Sequence, residues 1–200
     1  MLVTSMPEIY CSSVPEALQS SVKTSLINFY QQLSEHNLML VQTPELMASM
    51  SKVWASSEFV TDSCLAKPEL LVDLVATGDL LAKYSAGAYL DLLATKLPAD
   101  ELELMSVLRT FRRREMVRIA WRDLTGWAEL SETLLDLSHL ADTCIQYALD
   151  FLYRQACAKR GTPVLSDGAP QQLVVLGMGK LGAYELNYSS DIDLIFAYAE

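Results

Sequence analysis

Residues Leu173 to Glu200 read Leu-Val-Val-Leu-Gly-Met-Gly-Lys-Leu-Gly-Ala-Tyr-Glu-Leu-Asn-Tyr-Ser-Ser-Asp-Ile-Asp-Leu-Ile-Phe-Ala-Tyr-Ala-Glu. Two apolar runs of strand length, Leu173–Leu176 and Ile192–Tyr198, flank a glycine-rich turn and a short polar segment. Nearly everything before them has the spacing of helix. The fold therefore turns on how the two runs are joined.

Gly177-Met178-Gly179-Lys180-Leu181-Gly182 after a strand fits G-x-G-x-x-G, and Glu200 stands near where a ribose-binding acid belongs. One reading is thus an NAD(P)-binding oxidoreductase domain of the Rossmann type. A βαβ crossover, however, takes roughly 30 residues or more. Only Lys180 to Asn187 is open to helix before the Ser189-Ser190 break. About two turns are too short to return the chain as a parallel strand.

The other reading starts from Asp191-Ile192-Asp193. Side chains alternate along a strand, so Asp191 and Asp193 share one face while Ile192, Leu194 and Phe196 take the other, which suits a core. Two carboxylates side by side repel unless a cation lies between them, and hard oxygen ligands suit Mg²⁺. A metal held there can bind phosphate oxygens and favour in-line displacement at phosphorus. Glycines at 177, 179 and 182 let the backbone approach a phosphate, and the start of the following helix favours anions. They equally suit a tight strand-to-helix turn with no ligand. Lys180 either holds a phosphate or is solvated. Ser190 either binds a phosphate oxygen or caps the start of the strand.

A strand, a glycine turn, a short helix and Ser-Asp-x-Asp on the next strand resemble the opening of a polymerase-β-type nucleotidyltransferase domain. The wording Gly177–Gly182, Glu185-Leu186-Asn187 and Ser189-Ser190-Asp191-Ile192-Asp193-Leu194-Ile195-Phe196 closely resembles the N-terminal half of the glutamine synthetase adenylyltransferase/adenylyl-removing enzymes. Phe111 to Leu124 is similar to the arginine-rich helix before the nucleotidyltransferase core in that family. Ala183 and Tyr184 stand where many members carry small residues, often glycine. The resemblance covers about residues 50 to 200.

It implies an α+β fold: a mainly helical N-terminal region over 1–97, a long helix pair over 98–163, and the first strands of a truncated nucleotidyltransferase core over 164–200. It also implies that Asp191 and Asp193 are catalytic and hold Mg²⁺, with Gly177, Gly179, Lys180, Gly182 and Ser190 binding nucleotide or phosphate. The implied reaction removes AMP from a tyrosine of glutamine synthetase by phosphorolysis, giving ADP. The other half of such enzymes adds AMP from ATP, and a PII signalling protein sets the balance. The family's third carboxylate lies on a strand later than Glu200, so the chain is expected to be a fragment, inactive alone. A non-catalytic helical interaction module is a further alternative.

The chain has 200 residues, 51% of them hydrophobic, with a mean hydropathy of +0.19, enough for a sizeable core. A net charge of −10 argues against nucleic acid as a main partner. Cys11, Cys64, Cys144 and Cys157 show no C-x-x-C spacing and read as buried free thiols in a reducing cytosol. No Lys or Arg precedes Lys23, so no secretory leader is expected. No apolar run approaches the ~18 residues of a membrane span. The expected location is the cytoplasm.

Ser13 and Pro15 signal a helix to about Glu35, with Leu18, Val22, Ile27 and Tyr30 on its apolar side. Thr43-Pro44-Glu45, Ser57 and Lys67-Pro68-Glu69 open three more, the last stopped at Thr77-Gly78. Ala88–Lys96 is another. Pro98-Ala99-Asp100-Glu101 starts a long helix to about Thr125, apolar on two sides and therefore sandwiched. It holds six of the eight arginines, of which Arg114, Arg118 and Arg122 form one stripe. That stripe is either a positive wall beside phosphate or a set of inter-helix ion pairs. Ser131-Glu132 then caps a helix to Arg160, with Leu134, Leu137, Ala141, Ile145, Ala148 and Leu152 inward. His36 and His139 read as ordinary helix residues.

Overall fold

A computed structural model describes residues 14–198. Eight helices and one two-stranded sheet are described: α1 Glu16–Glu35, α2 Pro44–Ser56, α3 Glu58–Ala66, α4 Pro68–Ala76, α5 Ala88–Ala94, α6 Glu101–Thr125, α7 Leu130–Arg160, β1 Val174–Gly177, α8 Gly179–Gly182 and β2 Leu194–Ala197. The chain is mainly helical with one small antiparallel hairpin. No described helix is long and apolar enough to cross a membrane. The contacts divide into two compact units, one of residues up to Lys83 with Arg113–Glu129, the other of Tyr84–Arg112 with Leu130 onward.

In the first unit the start signals act as their chemistry dictates. Thr43 Oγ1 accepts the Leu46 amide at 3.2 Å and Ser57 Oγ accepts that of Val60 at 3.3 Å. Pro44 and Pro68 occupy first helical positions, where no amide proton is needed. The Ser13 cap lies outside the described residues. Helix α1 ends in a left-handed residue, Asn37 (φ 54°), with the Leu38 amide donating to Leu33 O at 2.8 Å. Its inward stripe is Val22, Leu26, Phe29 and Leu33. The expected Leu18 is instead 40% exposed: it lies on the same stripe one turn before Val22, in the first turn of the helix.

Phe29, Val53, Val60, Leu71 and Leu74 are fully buried, and Phe29 meets Trp54 edge-on at 5.3 Å. The second half of α6 runs through this unit with Glu115 to Arg122 all buried, so the helix is enclosed as its two apolar sides predict. Trp121 Nε1 donates to Ser49 Oγ at 3.0 Å. The arginine stripe is structural. Arg114 pairs with Asp73 (2.6 Å), Asp79 (2.5 Å) and Glu115. Arg118 pairs with Glu115 at 2.9 Å and donates to Ala82 O at 3.0 Å, and Arg122 donates to Leu81 O. Burial raises the Glu115 carboxyl above its usual range, while the two guanidiniums beside it act against that rise. Cys64 is buried, and burial pushes its thiol up to about 12, which keeps it unreactive.

In the second unit α5 packs on α7. Helix α7 begins at Leu130, one residue ahead of the Ser131-Glu132 signal. Its buried residues are Thr133, Asp136, Leu137, Ser138, Leu140, Thr143 and Phe151. Of the expected inward residues only Leu137 is buried; Leu134, Ala141, Ile145 and Ala148 are half-buried and Leu152 is 43% exposed. Leucines outnumber the places available on one face, and small hydroxyls at 133 and 143 pack closer. After α7, Tyr153 OH donates to Gln171 O at 2.5 Å and fixes the start of the segment that leads to β1.

Strands β1 and β2 pair antiparallel, Val174 opposite Ala197 through Gly177 opposite Leu194. A four-residue α8 cannot carry a parallel crossover, and none is made. The Rossmann reading thus fails on strand direction. One expectation for the hairpin is also corrected: Ile192 and Phe196 are 41% and 61% exposed, not core. On the opposite face Val174, Leu176 and Ile195 are about half exposed as well. Two strands alone leave much of both faces open; on the Phe196 face Val175 and Leu194 are half-buried.

Candidate functional site

Each of the three glycines answers a different steric demand. A Cβ on Gly177 would lie 3.0 Å from Leu181 Cγ. Gly179 has φ 56°, the left-handed region that L side chains resist. A Cβ on Gly182 would lie 2.4 Å from the carbonyl oxygen of Gly177. Helix α8 is therefore folded directly back against the end of β1. Leu181 and Leu186 are buried and anchor it, and the Leu186 amide donates to Ser138 Oγ on α7 at 3.2 Å.

Gly182→Ala is expected to cost about 1–3 kcal/mol, because a backbone oxygen has no rotamer by which to yield. Gly179→Ala, in open space, should cost about 1 kcal/mol of left-handed strain. Faster hydrogen exchange at Ala183–Glu185 in the first variant than in the second checks the order.

Helix α8 closes with Tyr184 at φ 57°: the Tyr184 amide donates to Leu181 O at 3.1 Å and the Glu185 amide to Lys180 O at 2.8 Å. This is the paired bonding of a Schellman motif, whose left-handed residue is usually glycine. The tyrosine ring is held edge-on by His139 at 5.7 Å. Burial raises the Asp142 carboxyl, with Tyr184 and His139 acting against the rise. His139 is thus a contact of the turn. The sequence carried no signal of that, since the partners lie 45 residues apart (184 − 139).

Asp191 and Asp193 are exposed and immediately precede β2. The Met178 amide donates to Asp193 O at 2.9 Å, extending the ladder by one bond and tying the glycine turn to the acid segment. Ser190 Oγ donates to Asn187 Oδ1, and the Ser190 amide donates to Asn187 O at 3.2 Å. The serine hydroxyl proton is therefore spent locally. Lys180 is exposed. Tyr188, half-buried three residues before Asp191, has its phenol raised by burial, with Arg112 acting against the rise. The structure thus brings Gly177, Gly179, Gly182 and Asp193 together through β1 and the Met178 bond.

Among the described residues no three His, Cys, Asp or Glu side chains gather as a metal-binding group. Two exposed carboxylates fit Mg²⁺, which keeps waters and takes one or two carboxylates alongside substrate phosphates. They do not fit a metal that needs a closed protein cage, such as structural zinc.

Residues 47–200 match the family described as glutamate-ammonia ligase adenylyltransferase. A bifunctional glutamine synthetase adenylyltransferase/adenylyl-removing enzyme of Nitrosococcus oceani is 48% identical over 190 residues, 94% of this chain and 20% of that protein. The protein of the same description from Thioalkalivibrio sulfidiphilus is 43% identical over 188 residues, 93% of this chain and 19% of its own length. That of Pseudomonas aeruginosa is 47% identical over 159 residues, 78% of this chain and 16% of its own. The chain spans about a fifth of the length of these relatives. It belongs to the glutamate-ammonia ligase adenylyltransferase family.

Proposed function

We propose that residues 164–200 begin a polymerase-β-type nucleotidyltransferase core, and that this core removes AMP from a tyrosine of glutamine synthetase. The observation that carries the reading is the bond from the Met178 amide to Asp193 O. It joins the backbone of Asp193 to that of Met178 in the glycine turn, which supports a shared site for the two segments. Family membership supplies the class of chemistry, and the relatives' description names the substrate protein.

On this reading inorganic phosphate attacks the phosphorus of the AMP–tyrosine diester. A P–O bond forms to phosphate, the P–O bond to tyrosine breaks, and ADP and free tyrosine result. Asp191 and Asp193 would hold Mg²⁺, which supplies charge neutralisation at the phosphoryl oxygens and the leaving phenolate. The open backbone at Gly177–Gly182 would accommodate the attacking phosphate, with Lys180 and Ser190 beside it. Further ligands would come from the rest of the nucleotidyltransferase core.

Metal binding tests the site directly. Titration of the chain with Mn²⁺, a paramagnetic stand-in for Mg²⁺, should broaden amide resonances around Asp191–Leu194 and Met178 first. Asp191→Asn and Asp193→Asn should each remove that broadening. Broadening that begins elsewhere and survives both changes would reject the assignment.

A further inference from the structure

The six arginines of α6 divide into two groups. Arg114, Arg118 and Arg122 are taken up by ion pairs and carbonyls of the first unit. Arg109, Arg112 and Arg113 are exposed, and among the described residues none of the three forms an ion pair. Spacings of three and four residues make Arg109 a neighbour of both others, and like charges so placed disfavour the helix. No exposed acid stands three or four residues away to offset them. Glu115, three residues beyond Arg112, is fully buried and held by Arg114 and Arg118.

The same face continues toward the start of the helix. Leu102, Met105, Arg109 and Arg112 are separated by three, four and three residues, which is one side of an α-helix. Leu102 is 79% exposed and Met105 48% exposed, whereas Leu104 and Phe111, on the opposite side, are buried. An exposed stripe that is apolar at one end and cationic at the other has the composition of a protein interface, where methionine and arginine are enriched. On a chain of net charge −10, a cationic patch left without an internal counter-charge calls for one from outside.

We propose that this outward face of α6 docks an acidic, amphipathic segment of the protein substrate. Carboxylates of that segment pair with Arg109 and Arg112, and its apolar side chains cover Leu102 and Met105. The inference rests on the proposed function in taking the substrate to be a protein. Arg112 also lies close enough to Tyr188 for its charge to act on the phenol, three residues before Asp191. That places one end of the stripe beside the segment leading to the acid pair. A convex, solvated helix face offers no enclosure to a free phosphate, which favours a polypeptide over a small anion.

The test measures affinity of the 200-residue chain for adenylylated glutamine synthetase over a range of salt, and separately for AMP with Mg²⁺. R109E/R112E should weaken protein binding on the order of tenfold and flatten its salt dependence. L102S/M105S should weaken it without changing the salt slope. All four positions are exposed, so circular dichroism should match the parent for both variants.

Undiminished protein binding in R109E/R112E, or no binding by the parent chain, overturns the proposal. Loss of AMP affinity with protein binding intact overturns it in favour of a small-anion site. A change from dimer to monomer on sedimentation, with substrate binding intact, assigns the face to a second copy and overturns it as well. Asp191→Asn separates the two readings: it should leave docking intact, and if it also leaves Mn²⁺ broadening intact, only the proposed chemistry fails.

Discussion

In the complete enzyme, Asp191→Asn should abolish adenylyl removal from glutamine synthetase and leave adenylyl transfer to it in place. Asparagine keeps the shape of the side chain and one oxygen but removes the charge. On the proposed function a carboxylate in this position would matter for that charge, because it would hold a divalent cation against phosphoryl oxygens that are themselves anionic. Removing one group that acts on the transition state commonly costs a hundredfold or more in rate. Asp191 is exposed and lies outside the hairpin ladder, so the change leaves the fold with nothing to repair. Separate assays for the two reactions check it. Equal loss of both would assign these acids to the wrong half, and retention of both would remove them from the chemistry.

Arg118→Ala should destabilise the chain by about 3–5 kcal/mol, the range for breaking a buried ion pair by removing one partner. Arg118 and Glu115 are both fully buried, and Arg118 also satisfies the carbonyl of Ala82. Alanine leaves that carbonyl bare, opens a cavity the size of the lost side chain and leaves Glu115 to Arg114 alone. Arg114 is already shared with Asp73 and Asp79. The double variant Glu115→Leu/Arg118→Met should recover part of the loss, since a buried pair replaced as a whole by apolar groups of similar volume is often close to neutral. Urea unfolding of the singles and the double measures both effects. A loss below about 1 kcal/mol in Arg118→Ala would mean that water reaches the pair.

How far these features were readable from the residues depends on whether their cause is local. Thr43, Ser57, Pro44 and Pro68 act on amides within three residues of themselves, and they set helix starts where the sequence put them. The antiparallel hairpin was legible for a similar reason: too few residues separate its strands for any other return. The family, and with it the class of chemistry, was legible in the wording of Gly177–Gly182 and Asp191–Asp193.

The inward faces of α1 and α7 were less so. Both helices carry more apolar residues than one face holds, and partners distant in sequence decide which are buried. The arginine stripe left two readings open until Asp73, Asp79 and Ala82 were seen beside it, and those lie 35 to 41 residues upstream of their partners (Asp79 to Arg114, Asp73 to Arg114). Tyr184 is the sharpest case. Nothing in its residue type announces a left-handed backbone, and the edge-on contact that holds its ring comes from another helix.

The single bond between the Met178 amide and Asp193 O also ties together the behaviour of the two segments it joins. Neither can be displaced far without straining the other. Whatever settles in the turn and whatever ion sits at the carboxylates should therefore influence each other's affinity by the same factor in both directions, as any two linked equilibria must. A phosphate that tightens the turn would raise the hold on the cation, and a bound cation would raise the hold on the phosphate by the same factor.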